Sequence, residues 1–143
     1  ARAEALYEFL AKLPRNFRYA VELRNEAWHS EETLAVLAEL KMAWVIGVGP
    51  DNPPVRPLTA DFTYLRWLGD RSLEVYDRVQ IDRKGELHEW ARWIEKQREQ
   101  LQTIYGYFNN HYAGHGPDSA RTLLCYLGED VPTPPAESQG ELF

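Results

Sequence analysis

Short apolar runs alternate with amphipathic helical patterns along this chain, and that alternation limits the fold more than any other feature of the sequence. The clearest run is Trp44–Val48, apolar at nearly every position, which is typical of a strand covered on both faces. Phe62–Trp67 is predicted to be another strand because aromatic and β-branched residues are dense there. The order helix, strand, helix, strand, loop, strand, helix, strand, helix predicts an α/β fold of parallel strands joined by crossover helices.

The remaining elements are placed by their period and by their end signals. An alternating segment over Phe17–Leu23 predicts the first strand, and Ser30 is a favourable N-cap for the helix that follows. A later helix is expected to begin at about Glu86, and Thr103–Asn109 is predicted to form the fourth strand. Gly116-Pro117 opens the last helix, since proline is favoured in a first helical turn.

The predicted strands are too few to close a barrel. An eight-stranded β/α barrel takes typically about 250 residues, whereas this chain has 143. We expect either an open α/β sheet or, over residues 1–127, the C-terminal portion of a TIM-like (β/α) barrel whose N-terminal strands are missing. The start in mid-helix at Ala1, without an initiator Met, favours the second. Residues 128–143, acidic and with three prolines, are expected to form a flexible tail.

Composition excludes several classes of protein. No segment approaches the roughly 20 apolar residues that span a bilayer, and the first residues do not resemble a signal peptide. We therefore expect a soluble, cytoplasmic protein without a membrane partner. The net charge of −6 argues against broad binding to a DNA backbone. Cys125, the single cysteine, cannot form an internal disulfide and is expected to be buried on the apolar stripe of the last helix.

Polar residues at the ends of predicted strands are the candidates for a site, because loops converge over the C-terminal ends of parallel strands. Period two places Glu22 and Arg24 on one side of the first strand. Arg66 and Asn109 take the matching sides of later strands, together with three tyrosines, Tyr64, Tyr105 and Tyr107. We expect the charged and amide groups to converge on a small polar or anionic ligand. Alternatively, Glu22 pairs with Arg24 or Arg66 and plugs the barrel end, since an isolated buried charge is costly.

The segment Asn109–Gly116 combines amides, imidazoles and glycines between a strand and a helix N-terminus. Glycines let a backbone approach a ligand, and the N–H groups of a helix start suit phosphate or carboxylate. An ordinary βα turn, in which the Asn side chains bond to local backbone, is the alternative. His111 and His115 stand four apart, a zinc spacing when both lie on one helix, but the predicted loop removes that geometry. No metal ligand is assigned.

Together these residues support the hypothesis that the protein is an enzyme. The sequence alone leaves that question open. Proton-transfer or hydrolytic chemistry on a phosphorylated or nucleic-acid-derived ligand would use Glu22 or His111 as the proton-transfer group. The residues expected to bind substrate are Arg24, Trp28, Arg66, Asn109 and Asn110. Signatures of serine hydrolases, P-loop proteins, dinucleotide enzymes and paired-cysteine sites are absent, and the sequence names no cofactor.

Three segments match a known family in the family's own order: Tyr19–Trp28, with the pattern Val-Glu-x-Arg-x-x-x-Trp, Thr59–Gly69 and Tyr107–Asn110. They resemble the family catalogued as domain of unknown function 72, the YecE-like proteins. The resemblance implies a fold similar to eight-stranded β/α barrels and a missing N-terminal segment, and it names no reaction. The chain departs from the family at Val48-Gly49-Pro50, where many members carry an Asp directly after the strand.

The C-terminal peptide Gln139–Phe143 supports a second hypothesis. It resembles the Gln-x-x-Leu-Phe peptide by which many bacterial DNA-maintenance proteins dock on the sliding clamp. Leu142 and Phe143 can enter an apolar pocket while Gln139 hydrogen-bonds beside it. On this hypothesis the chain is a non-catalytic interaction module tethered to the clamp. The alternative is that the terminal Leu-Phe folds back on the barrel. Clamp docking is also compatible with the enzyme hypothesis, since a clamp-tethered enzyme would show both features.

Overall fold

The computed structural model describes residues 2–49, 55–69 and 71–131, and in them it contains a four-stranded parallel sheet with helices. The strands are β1 (Ala20–Val21), β2 (Ala43–Val48), β3 (Phe62–Trp67) and β4 (Thr103–Phe108), and the α-helices are α1 (Arg2–Leu10), α2 (Glu31–Glu39), α3 (Lys84–Gln97) and α4 (Gly116–Tyr126). The strands lie side by side in chain order, each parallel to the next. The predicted α/β fold with a parallel sheet is confirmed.

Local signals explain where several elements begin. The Ser30 hydroxyl accepts a hydrogen bond from the Thr33 N–H at 3.3 Å and so caps α2. Proline occupies the first turn of α4, where its missing N–H leaves no hydrogen bond unmade. Strand β3 has the predicted bounds, and α3 begins at Lys84, two residues before the predicted start.

Strand β1 is much shorter than the predicted Phe17–Leu23, and that expectation is wrong. Only Ala20 and Val21 pair with β2. The side chain of Asn25 accepts a hydrogen bond from the Ala27 N–H at 2.9 Å and caps a short 3-10 turn, which draws the chain away from the sheet soon after Val21.

The apolar core lies between the helices and one face of the sheet. Alternate residues of β2 and β3 supply the sheet side of this core, namely Trp44, Ile46, Leu65 and Trp67. The helices contribute their apolar stripes, with Leu37 of α2 and Trp90 of α3 nearly inaccessible to solvent. The opposite face of the sheet is therefore free to carry polar side chains.

Cys125 lies on the exposed side of α4, so its predicted burial is wrong. Leu123 is the buried residue of that turn. Two residues of α-helix rotate the side-chain direction by roughly 200°, which turns Cys125 away from the core. The apolar stripe of α4 is narrower than the sequence pattern predicts.

We expect the Cys125 thiol to react stoichiometrically with an aromatic disulfide reagent in the folded protein, because its side chain is exposed. The chain has one cysteine, so the released chromophore reports this position alone. Reaction in denaturant provides the total thiol count. A thiol that reacts only after unfolding would contradict the exposed position.

Two further expectations concern the ends of the chain and membranes. Within the described ranges, no helix is long and apolar enough to cross a membrane. The predicted tail is described only to Val131, and near its start Glu129 forms an ion pair with Arg98 at 2.7 Å. The docking residues Gln139, Leu142 and Phe143 lie outside the described residues.

Candidate functional site

The sheet face opposite the core carries a polar cavity of about 540 Å³. We call this surface the polar face and define it by six residues that line the cavity: Arg18, Glu22, Tyr64, Arg66, Tyr105 and Tyr107. Period-two alternation produces it, because the neighbours of these residues in β3 and β4 point into the core or toward the helices.

Glu22 is the centre of a charged cluster on the polar face. Its Oε2 accepts a hydrogen bond from Nη1 of Arg66, and its Oε1 accepts one from Nε of Arg24 at 3.0 Å. The Arg66 side chain is 31% exposed and that of Arg24 is 70% exposed. The structure thus brings together three of the predicted site residues. Both carboxylate oxygens therefore accept from arginine, and Glu22 bridges Arg24 and Arg66.

A glycine lets Glu22 reach across the sheet to Arg66. The two residues are 44 apart in sequence, with β2 lying between β1 and β3. Gly47 of β2 is the register partner of Arg66, so β2 places no side chain beside the guanidinium at this level. In the sequence, a glycine inside an otherwise apolar strand is the feature that indicates such a close approach of side chains across the strand.

Three tyrosines form the aromatic part of the polar face. The rings of Tyr64 and Tyr107 stack with centroids 4.9 Å apart and planes inclined by 18°, and Tyr105 lies 6.2 Å from Tyr64. Tyr107 is 52% exposed. Burial, followed by the neighbouring Tyr107, raises the pKa of Tyr64. The period of the strands predicts that these rings lie on one side of the sheet, but the sequence alone assigns them no function in a site.

Arg18 is the second arginine of the polar face, and Arg24 adds a further cation beside the face through its ion pair with Glu22. Its guanidinium lies 4.2 Å from the centroid of the Phe62 ring and donates to Asp61 Oδ1 at 3.3 Å. Over the whole face and its immediate ion-pair partners, the arginines at 18, 24 and 66 oppose the carboxylates of Glu22 and Asp61. Three arginines against two carboxylates leave an excess of one positive charge here, on a chain with a net charge of −6.

The two asparagines after β4 bond within their own turn. Asn109 Oδ1 accepts from the His111 N–H at 3.0 Å, and Asn110 Oδ1 accepts from the Gly116 N–H at 2.8 Å. These contacts match the ordinary-turn alternative. The first turn of α4 also contains Asp118, whose negative charge occupies the position that an anion would take.

The other predicted residues contact groups outside the Glu22 cluster. His111 packs edge-on against Tyr76, with Nε2 3.2 Å from the tyrosine hydroxyl. The Trp28 ring lies 5.6 Å from the guanidinium of Arg2 and packs against the core. In the part of the chain that is described, no group of three or more His, Cys, Asp or Glu side chains is placed to hold a metal ion.

His115 belongs to an ion-pair network at the start of α4. Its Nδ1 lies 2.7 Å from Asp118 Oδ2, and Asp118 Oδ1 accepts a short hydrogen bond from Arg121. Arg121, and after it His115, lowers the pKa of the Asp118 carboxyl. The position of the His115 side chain is thus explained by its contact with Asp118 at the start of α4.

Comparison with known proteins identifies one family and its fold. The family model described as protein of unknown function DUF72 matches residues 1–141. A DUF72 family protein from Thermotoga maritima has a similar structure, with a TM-score of 0.70 and 26% sequence identity over 89% of this chain and 52% of that chain. No curated protein matches the chain.

Two structures of a DUF72 family protein from Enterococcus faecalis V583 share the fold. Their TM-scores are 0.66 and 0.65, at 20% and 18% identity, over 89% and 92% of this chain and 53% and 54% of those chains. The present chain thus spans about half the length of the solved structures that it matches.

Proposed function

The chain belongs to the DUF72 family of proteins of unknown function, and we propose that its polar face binds a small anionic ligand. One observation carries this proposal: Glu22 and Arg66 form an ion pair that lines a cavity of about 540 Å³, and Arg24 is the second partner of Glu22. Ligand pockets occupy about 300–1,000 Å³, and a locally positive cavity on an acidic protein concentrates anions.

The same face fits a position inside a TIM-like β/α barrel, of which the described sheet would be the C-terminal portion. Support comes from strands that are all parallel and in chain order, and from the likeness to chains about twice as long. In such a barrel Glu22, Arg24 and Arg66 would lie toward the C-terminal ends of the strands, where barrel enzymes hold their ligands.

Arg66 is the residue that would hold the anion. Glu22 takes one N–H of its guanidinium, and the remaining donors of the planar fork suit two oxygens of a phosphate or carboxylate. Glu22 would then act as a positioning residue. A proton-transfer role for Glu22 in a hydrolytic reaction needs one free oxygen, and the exposed side chain of Arg24 is the partner that can release it.

We expect Arg66→Gln to weaken the binding of inorganic phosphate at least tenfold, because it removes a charge-assisted hydrogen bond. Isothermal titration of the full chain measures the effect. Arg78→Gln is the matched control, since Arg78 is highly exposed and its ion pair within the described ranges is a local one, with Asp77. Equal losses in the two variants would show general attraction by charge, and absence of binding by the unmodified chain would likewise overturn the proposal.

A second function is proposed for the peptide Gln139–Phe143, which would dock on a bacterial sliding clamp. The sequence Gln-Gly-Glu-Leu-Phe supports it, with two adjacent apolar side chains and an amide three residues before them. Docking would tether the polar face near replication or repair proteins without requiring catalysis.

Changing Leu142 and Phe143 together to alanine should reduce clamp affinity at least tenfold, because apolar anchors dominate the energy of short-peptide docking. Fluorescence anisotropy of the full chain with purified clamp gives the affinity. Glu141→Gln alters the same peptide without touching the anchors and should bind as before. Unchanged binding by the Leu142→Ala, Phe143→Ala variant would remove this function.

A further inference from the structure

The tyrosine rings of the polar face indicate which chemical group the ligand carries in addition to its negative charge. Tyr64 and Tyr107 already form a parallel stack, with planes inclined by 18°. Tyr64 is the inner member and Tyr107 the outer one, since Tyr107 is the more exposed. An exposed aromatic side chain can stack on a flat ring of a ligand, which gains dispersion and displaces water from an apolar surface.

The anion donor and the exposed ring are neighbours on the sheet. Arg66 of β3 and Tyr107 of β4 are register partners, and adjacent strands lie about 5 Å apart. Both residues line the same cavity. A ligand that contacts both therefore needs an anionic group within a few bond lengths of a ring.

We propose that the ligand is a planar aromatic ring joined to a phosphate, of the size of a nucleoside monophosphate, with its ring on Tyr107 and its phosphate on Arg66. This inference rests on the proposed anion-binding function and specifies its ligand. The cavity volume of about 540 Å³ accommodates a molecule of that size.

The hydrogen-bonding character of the face favours this ligand over a neutral sugar. Both oxygens of Glu22 accept from arginine, so the cluster presents donors to a ligand, whereas sugar hydroxyls are usually bound by free acceptors as well as donors. The phenol of Tyr64, whose pKa is raised by burial and by its neighbour Tyr107, adds no negative charge to this surface. The dianion of a phosphate monoester, its main form at neutral pH, supplies only acceptors and matches such a surface.

Three probes separate the ring from the anion: adenosine 5′-monophosphate, ribose 5-phosphate and adenosine, each titrated into the full chain by calorimetry. The monophosphate should bind about tenfold more tightly than ribose 5-phosphate, because base stacking on one aromatic side chain contributes a factor of that order. Tyr107→Leu should abolish this difference, and Tyr107→Phe, which keeps the ring, should retain it. Tyr126→Leu removes a tyrosine on α4 that does not line the cavity and should change nothing.

The outcomes distinguish this inference from the proposed function. Equal affinities for the monophosphate and ribose 5-phosphate, both lost in Arg66→Gln, would contradict the proposed stacking of a ligand ring on Tyr107. The proposed anion binding would remain supported. A preference for the monophosphate that survives in Tyr107→Leu would also overturn the assignment of the ring to Tyr107. Failure of both phosphates to bind would overturn the inference and the proposed function together.

Discussion

Alanine in place of Gly69 should lower the free energy of unfolding by about 3 kcal/mol or more, because strain and overpacking coincide there. Gly69 has φ +74°, and a Cβ on it would stand 2.1 Å from the carbonyl oxygen of His111. The obstructing atoms are backbone, so no side-chain rotation relieves the clash. Gly69 follows β3 closely, and His111 lies in the turn after β4, so the substitution would also separate the two loops beside the polar face.

Substitutions at two other glycines separate the cost of backbone strain from the cost of the steric clash. Gly128 has φ +69° with nothing within 4 Å of an added Cβ, so Gly128→Ala should cost only the backbone strain, about 1 kcal/mol. Gly85 lies in α3 with equally open surroundings, and Gly85→Ala should stabilise the protein by up to about 1 kcal/mol. Urea unfolding followed by circular dichroism ranks the three variants. Similar losses for Gly69→Ala and Gly128→Ala would exclude the clash.

The change Thr59→Val is expected to destabilise the protein by about 3 kcal/mol, since it leaves two buried backbone groups without their partner. The Thr59 hydroxyl accepts from the Trp44 N–H at 2.8 Å and donates to the Met42 carbonyl at 2.7 Å. From the loop before β3, this hydroxyl thereby satisfies two backbone hydrogen-bonding groups at the start of β2. Valine fills the same volume but can replace neither hydrogen bond.

Thr63→Val is the matched control for that experiment. Thr63 is also buried, but its hydroxyl has no hydrogen-bond partner among the described residues. Removing a buried, unpartnered hydroxyl should leave the stability unchanged or raise it by up to about 1 kcal/mol. Thermal or urea unfolding measures both variants. If Thr63→Val were as damaging as Thr59→Val, loss of shape or of strand propensity would explain the result better than loss of hydrogen bonds.

Features set by period could be predicted from the sequence. Phe62–Trp67 forms a strand because its side chains must alternate between a core and a polar side, and that alternation is independent of distant contacts. The contact between Glu22 and Arg66 was foreseeable for the same reason, although 44 residues separate them. The Ser30 cap depends only on the residues that follow it.

Features that depend on exact rotation or on competing local contacts could not be predicted. Cys125 adjoins Leu124 in the apolar pattern, and about 100° of helix rotation decides its exposure. Asn109 and Asn110 could bond to a ligand or to their own turn, and only the backbone conformation decides between these. The stacking of Tyr64 on Tyr107 required the register of β3 on β4.

The two outer strands of the sheet differ in a way that bears on solubility. Strand β1 is two residues long and flanked by Arg18, Glu22 and Arg24, and short charged edges resist pairing with other chains. Strand β4 has six residues, contains neither a charge nor a proline, and pairs with β3 alone among the described residues. Where no further strand covers this edge, self-association of the chain at high concentration should begin at β4, and a lysine introduced on that edge would act as a gatekeeper against aggregation.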